Sequence, residues 1–510
     1  MSLNELLGFS RNPFEHYTAE TEPDISSYAV RPPYLKSIVD RAKGVTSFVL
    51  FGDRGAGKSA TRIKVYNELW SQLGHTAERL PFVVNVTEFS KITSHFSAGS
   101  LDDRKIVEIV AFNVIEQLFV WLASLEEDER EIYLEALNGE ERSLVLALTQ
   151  GFYLNVPALD RSVSTSDAMR LLNAAWATKS LIWINKRWDS VARIFASVLA
   201  ALSKKHLDHE IDISAPAERI LASLKGETPN AARAILARLV EMAQAFGFSG
   251  VCIFIDKIDE TSVTSSSAEA TARFIYPLLS HVQLLEVSGC SFVVFLWSKV
   301  QTHFMGKHSI RLDKIAHTNI TWSVDGLREM VDARVSYYSN RSKRFEDLFE
   351  PTVDVGLLHR ELVRLTVKSP RELIRLLDVI CREHAARGAE GLIDKASIDI
   401  GCDKYVTETI GSWYPEKSLK QILRLGRVVF ANKDVQTKFK IGDQGARVKI
   451  QGWVEAGLVR QDGTVPNETG GKPAYRFVID DPRIIRIVEG RLDQLVGAEV
   501  PEDEAGDRLE

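Results

Sequence analysis

Eight residues constrain this chain more than any others. Gly52-Asp-Arg-Gly-Ala-Gly-Lys58-Ser59 follows the apolar run VTSFVLF at 45–51 and precedes a segment with a helical pattern at 58–73. The spacing is G-x-x-x-x-G-K-[ST], and the strand-before, helix-after context is the one this motif requires. Its glycines allow the backbone to turn its N–H groups inward around an anion. The helix that follows presents its positive end to the same point. Gly52, Arg54, Gly55, Ala56, Gly57, Lys58, Ser59 and Ala60 therefore form a candidate cradle for the phosphates of a nucleotide. Lys58 is placed to reach the β- and γ-phosphates, and the Ser59 hydroxyl to ligate Mg²⁺.

A phosphate loop of this kind needs a second carboxylate near the metal, at the end of a neighbouring strand. The run VCIFIDKIDE supplies Asp256, then Asp259 and Glu260. Asp256 is the candidate for the Mg²⁺ shell beside Ser59. Asp259 and Glu260 have two readings: one of them orients the attacking water as a catalytic group, or both simply open the next helix, where the dipole favours carboxylates.

Further apolar runs at 81–87 (PFVVNVT), from Val251 (VCIFID) and from Ser291 (SFVVFLW) read as strands alternating with helices, which implies a parallel α/β sheet. Residues 97–246 read as almost wholly helical, with turn-rich breaks near 137–141 and 207–216. The aromatic residues there (Phe119, Trp121, Trp176, Trp183, Trp188) are expected in a core rather than a ligand box. Residues 1–44 read as an irregular lead-in with one short helix, because Pro13, Pro23, Pro32 and Pro33 interrupt it.

Bulk composition excludes several classes. The net charge of -6 makes the whole molecule no polyanion binder, so nucleic-acid contact requires a local basic patch. The four cysteines (Cys252, Cys290, Cys381, Cys402) contain no CxxC pair, which argues against a zinc site or disulfide framework and fits a reducing cytosol. No signal-peptide pattern and no run of 18 apolar residues occurs, so the expectation is a cytoplasmic protein with no membrane partner.

The helix beginning at KSPRELIRLLDVICREHAARG carries Leu373, Leu376, Leu377 and Ile380 at helical spacing, Pro370 in its first turn and Arg371 at its start. Downstream, 418–426, 433–439 and 443–457 read as three helices, and 458–460 and 475–479 as two strands, with a turn-rich loop between. Three helices and a hairpin make a winged helix-turn-helix layout with the third helix as recognition helix. Residues 417–449 hold nine Lys or Arg against two acids, a local net of +7. Lys438, Lys440, Arg447, Lys449 and Lys472 are the candidate DNA contacts, set against a purely intramolecular or protein-binding role for the same domain. The last residues, 497–510, hold six acids and one Arg and read as a solvated tail.

Taken together, Gly52–Ser59, Asp256 and the helix carrying Arg371 resemble the AAA+ and STAND branches of P-loop ATPases. The lead-in NPF…AE and the Asp-x-x-Asp spacing are similar to bacterial ATPases that resemble the origin-recognition-complex family. The resemblance covers 1–90 and 247–485. Most AAA+ members have Glu directly after the strand-end Asp, where this chain has Lys257; the Asp-x-x-Asp-Glu spacing is instead similar to the STAND pattern. The resemblance implies ATP as the nucleotide, since no guanine-reading NKxD stands in a suitable place. It also implies a γ-phosphate sensor at Ser298, a phosphate-contacting arginine at Arg371, and Arg311 or Arg334 as an arginine finger for a neighbouring subunit.

The expected architecture is an α/β P-loop NTPase core of AAA+/STAND type with a parallel sheet, a large helical insertion, a helical lid and a C-terminal winged helix. Its boundaries are 1–96 lead-in and first part of the core, 97–246 insertion, 247–322 second part, 323–400 lid, 401–490 winged helix and 491–510 tail. The leading functional expectation is an ATP- and Mg²⁺-dependent switch ATPase of STAND-like regulatory or antiviral-defence type. It self-associates or recruits a protein partner through the insertion. The alternatives are an origin-recognition-type ATPase that uses its winged helix on duplex DNA, and a nucleotide-binding scaffold with little turnover.

Overall fold

The computed structural model describes residues 8–22, 25–32, 34–72, 79–157, 161, 220, 230–265, 267–305, 309–388, 391–465 and 473–496. The chain divides into two compact units, Pro23–Thr321, and Met1–Glu22 with Trp322–Glu510.

In the Pro23–Thr321 unit, helix α1 (Tyr34–Lys43) leads into β1 (Phe48–Gly52), followed by α2 (Lys58–Ser71) and β2 (Phe82–Val86). Helices α3 (Ser90–Ser97), α4 (Asp103–Ser124), α5 (Glu127–Ala136), α6 (Gly139–Leu148) and α7 (Ala231–Ala245) precede β3 (Val251–Ile255). Helix α8 (Ala268–Leu279), β4 (Cys290–Trp297) and β5 (His317–Asn319) complete the unit. The sheet order is β2-β3-β4-β1-β5, and every pairing is parallel. Strands β1, β2 and β3 are buried at every position, as the continuous apolar runs require of a covered parallel sheet. Strand β4 lies between β1 and β3, with Trp297 opposite Gly52. The ends of β1, β4 and β3 thus stand side by side, and the loops after them build the site.

Two features of this unit differ from the sequence reading. The three-residue β5 on the sheet edge was not expected; it is too short and too polar (His-Thr-Asn) to show a period. The 97–246 segment is also no separate body at its two ends. Helix α4 is apolar on nearly every face, and 89% of its most apolar window, of mean hydropathy 1.8, is buried within the protein, so it is a core helix. Trp121 packs edge-on to Phe82 of β2 and to Phe248 just before β3, at centroid distances of 6.5 and 4.9 Å. Helix α7 buries Ile235, Leu236, Leu239 and Met242. Phe119 and Trp121 are core residues, as expected. Trp176, Trp183, Trp188 and the 207–216 break lie outside the described residues, as does the 497–510 tail.

In the second unit, α9 (Val324–Tyr338), α10 (Val355–Leu365), α11 (Pro370–Ala386) and α12 (Lys395–Thr409) form the helical part. Helix α12 runs through the 400/401 boundary, which therefore falls inside a helix. The reason is Gly401: a Cβ there would lie 2.7 Å from Ile380 Cα, so the glycine lets α12 pack directly on α11. The lead-in is corrected too. Residues 8–22 belong to this unit, not to the sheet unit. Phe14 is fully buried, Ser10 donates to Tyr338 O (2.9 Å), and Asn12 donates to Asp378 (3.1 Å).

The C-terminal part consists of α13 (Glu416–Leu425), β6 (Val429–Ala431), α14 (Asn432–Phe439), α15 (Asp443–Glu455), β7 (Val459–Val465), β8 (Ala474–Ile479) and α16 (Pro482–Gly490). The antiparallel sheet has the order β6-β8-β7. This is the expected three helices and hairpin, with β6 added between the first two helices and β7 extending into the stretch read as loop.

Candidate nucleotide site

The site is built on helix α2. Its N-cap, Gly57, has φ +98°, no side chain caps the helix start, and Gly55 is also left-handed at φ +79°. A Cβ on Gly57 would meet nothing within 4 Å, so conformation rather than space demands glycine there. The first-turn N–H groups of any helix lack intrahelical partners. Gly57 itself has no side chain to cap them, and helix starts of this kind suit an anion.

Lys58 is buried; its ammonium donates to Gly52 O (3.0 Å) and Asp53 O (3.3 Å) and lies 4.0 Å from Asp259 Oδ2. Ser59 Oγ donates to Asp256 Oδ2 at 2.8 Å. The two groups expected at the metal, one after β1 and one at the end of β3, are thus brought together. Asp256 is 1% exposed, its Oδ1 accepts from Lys257 N (2.9 Å), and its Oδ2 also accepts from Arg62 Nε (2.9 Å). Among the described residues no group of three or more His, Cys, Asp or Glu is arranged to hold a metal ion by itself. The donor set nonetheless fits Mg²⁺, a cation that takes one or two protein oxygens and completes its shell with water and phosphate.

Lys257 has φ +65°, so the chain reverses immediately after β3 and Ile258–Glu260 forms a single 3₁₀ turn. The turn separates the two carboxylates. Asp259 is buried and faces the loop, with Arg54 Nε 3.6 Å from its Oδ2 and Arg54 Nη2 donating to its main-chain oxygen at 2.9 Å. Glu260 is exposed. Neither opens the next helix, which begins at Ala268 behind a Ser267 cap. Arg54 also stacks on Trp297 at 4.4 Å, and Ser298 donates to the Asp53 carboxylate. The strand-end serine is therefore in contact with the loop that precedes α2.

The two arginine-finger candidates fare differently. Arg311 is exposed and paired with Asp313 at 2.6 Å. Arg334 is corrected: it is 3% exposed and donates to Glu22, Pro13 O and His16 O within its own unit, so its guanidinium cannot reach a neighbour. Arg371 lies in the first turn of α11, half-buried, behind Ser369, whose Oγ accepts from Glu372 N at 3.4 Å. Sequence reasoning missed Arg62. An arginine on a helix reads as a surface residue, and the one available signal was its spacing, three residues after Ser59 and so on the same face.

Burial raises the Tyr66 phenol on α2 and lowers the Lys64 ammonium. All four cysteines are free and buried, and burial pushes Cys252 and Cys402 up to about 12, far from a reactive thiolate.

In the winged helix, Ala446, Ile450 and Trp453 of α15 face inward, and Gln444, Arg447, Val448 and Gln451 are exposed. The basic stretch is partly neutralised. Arg427 pairs with Asp434, and Arg447 with Asp443 at 2.9 Å. Lys449 is half-buried over the Phe439 ring at 4.8 Å. Lys438 and Lys440 are exposed. Lys472 lies outside the described residues.

No family model matches the chain, and no curated protein matches it. Among solved structures it is similar to the Aeropyrum pernix ORC1 protein in complex with DNA, at 11% identity and TM-score 0.38, over 93% of this chain and 97% of that one. It is similar to the Aeropyrum pernix ORC2 protein in ADPNP–ADP complexes, at 13% identity and TM-score 0.34, over 94% and 98%. It is also similar to Drosophila ORC bound to DNA, at 9% identity and TM-score 0.33, over 95% and 90%. A likeness this loose carries no functional weight, and the chemistry of the site stands on its own residues.

Proposed function

We propose that this protein binds and hydrolyses ATP at the α2 loop and contacts duplex DNA through its winged helix. The observation that carries the first half is the uncapped, left-handed start of α2 with Ser59 bonded to Asp256 at 2.8 Å. Phosphate oxygens would take the place of Gly52 O and Asp53 O as partners of Lys58, and Ser59 with Asp256 would hold Mg²⁺. When bound, Mg²⁺ supplies positive charge that neutralises the oxygens of the phosphates. Asp259 is the group that orients water, because it is buried beside Lys58 and Arg54 of the loop. Ser298, tied to Asp53, would report the occupant of the loop to β4.

The DNA half rests on the exposed face of α15. A guanidinium, two carboxamides and a branched apolar side chain at helical spacing are the side-chain types that read base edges in a major groove. Lys438 and Lys440 would neutralise phosphates. Binding of a labelled duplex by fluorescence anisotropy over a salt series tests this. Log affinity should fall linearly with log salt, and Lys438→Ala with Lys440→Ala should make the slope shallower by about 0.9 for each phosphate left unneutralised. A duplex affinity that ignores both salt and the double substitution would contradict DNA contact. The regulatory-switch reading keeps one supporting observation, the buried connection from Asp256 through Arg62 to α4. Antiviral defence has none.

A further inference from the structure

A buried path of polar groups leads from Asp256 to α4. Arg62, 1% exposed, donates through Nε to Asp256 Oδ2 (2.9 Å) and through Nη1 to Asn85 Oδ1 (2.9 Å). Asn85 lies in β2, one of the two edge strands of the sheet. Its main-chain N–H donates to Gln117 Oε1 (3.0 Å), and Gln117 Nε2 donates back to Asn85 O (2.7 Å). Gln117 belongs to α4 and is buried. Asn85 stands among apolar residues in FVVNV, and Arg62 and Gln117 are buried on helices α2 and α4. Burying them gains little stability over hydrophobic residues of similar volume. Their arrangement does something an apolar core would not: it places a donor on Asp256 Oδ2, the same oxygen that accepts from Ser59.

We propose that Arg62, Asn85 and Gln117 are positioning residues for Asp256, and that α4 sets through them how tightly the site holds Mg²⁺ with nucleotide. This rests on the reading of the α2 loop as a nucleotide site. Outer partners of a metal ligand typically change metal affinity by about 10–100-fold when removed. Gln117 stands one step further out than Arg62, so it can be replaced without leaving Asp256 unpaired.

The test is calorimetric titration of ATP into the full chain, in EDTA and over a MgCl₂ series, for wild type, Gln117→Leu and Gln117→Met. The inference expects unchanged ATP affinity in EDTA and a half-saturating Mg²⁺ concentration raised by about 10-fold in both variants. An unchanged Mg²⁺ dependence in a folded variant overturns it, and so does an equal loss with and without Mg²⁺, which would mark Gln117 as merely structural. If neither variant folds, hydrogen exchange of wild type decides. The Asn85 amide should be further protected by Mg²⁺ with ATP beyond ATP alone, and equal protection overturns the proposal. Wild type that binds no ATP at all is a failure of the nucleotide reading instead, and the two are thereby distinguished.

Discussion

Arg334→Ala is expected to destabilise the unit formed by residues 8–22 and 322–496 by about 3–5 kcal/mol, the cost of breaking a buried ion pair from one side. Arg334 and Glu22 are each 3% exposed, and the Tyr338 hydroxyl also donates to Glu22. Removing the guanidinium leaves a buried carboxylate with the neutral Tyr338 hydroxyl as a donor, and it frees the carbonyls of Pro13 and His16. The lead-in is held to α9 by this guanidinium, so it should detach early. Urea unfolding monitored by far-UV circular dichroism measures the loss, and limited proteolysis reports cleavage within 8–22. The arginine-finger reading makes the opposite forecast: a variant as stable as wild type, with lost hydrolysis only where copies associate.

Asp259→Asn should lower the turnover number for ATP by about 10²–10⁴-fold, the usual contribution of a positioned general base. Nucleotide affinity should stay the same or rise. The direction follows from charge: Asp259 stands 4.0 Å from the Lys58 ammonium and 3.6 Å from Arg54, and competes with phosphate oxygens for both. Glu260→Gln, a change at an exposed position, should leave turnover within about twofold. Phosphate release under saturating ATP and MgCl₂ compares the three proteins. Turnover kept in Asp259→Asn and lost in Glu260→Gln would assign the water to Glu260. Turnover absent from all three, with ATP still bound, would leave the scaffold reading.

The phosphate loop and the four longer strands were legible in the sequence because each has a local cause. Left-handed backbone at Gly55 and Gly57 demands glycine, and strands covered on both faces are apolar throughout. Asp256 was legible from its place after such a strand. What stayed hidden depends on partners distant along the chain. Glu22 meets Arg334 across 312 residues, and Asp256 meets Arg62 across 194. In sequence, each arginine is one more charged residue on a helix. Asp259 is buried and Glu260 exposed just after a positive φ at Lys257, which no propensity announces. The boundary at 400 failed because α12 is hardly amphipathic and has a glycine near its centre, so its pattern breaks where its packing is closest.

The presence of a phosphate site is tested most directly by calorimetric titration of ATP with MgCl₂ into wild type and Lys58→Ala. Lys58 is the cation at the floor of the loop, and its ammonium donates to the carbonyls of Gly52 and Asp53 within that same loop, so its loss should leave the fold intact. Wild type should bind one ATP per chain, and Lys58→Ala should bind about 10²-fold more weakly, the worth of one strong charge-assisted hydrogen bond. Wild type that takes up no ATP, or a Lys58→Ala protein that binds it equally well, would contradict a phosphate site at the start of α2.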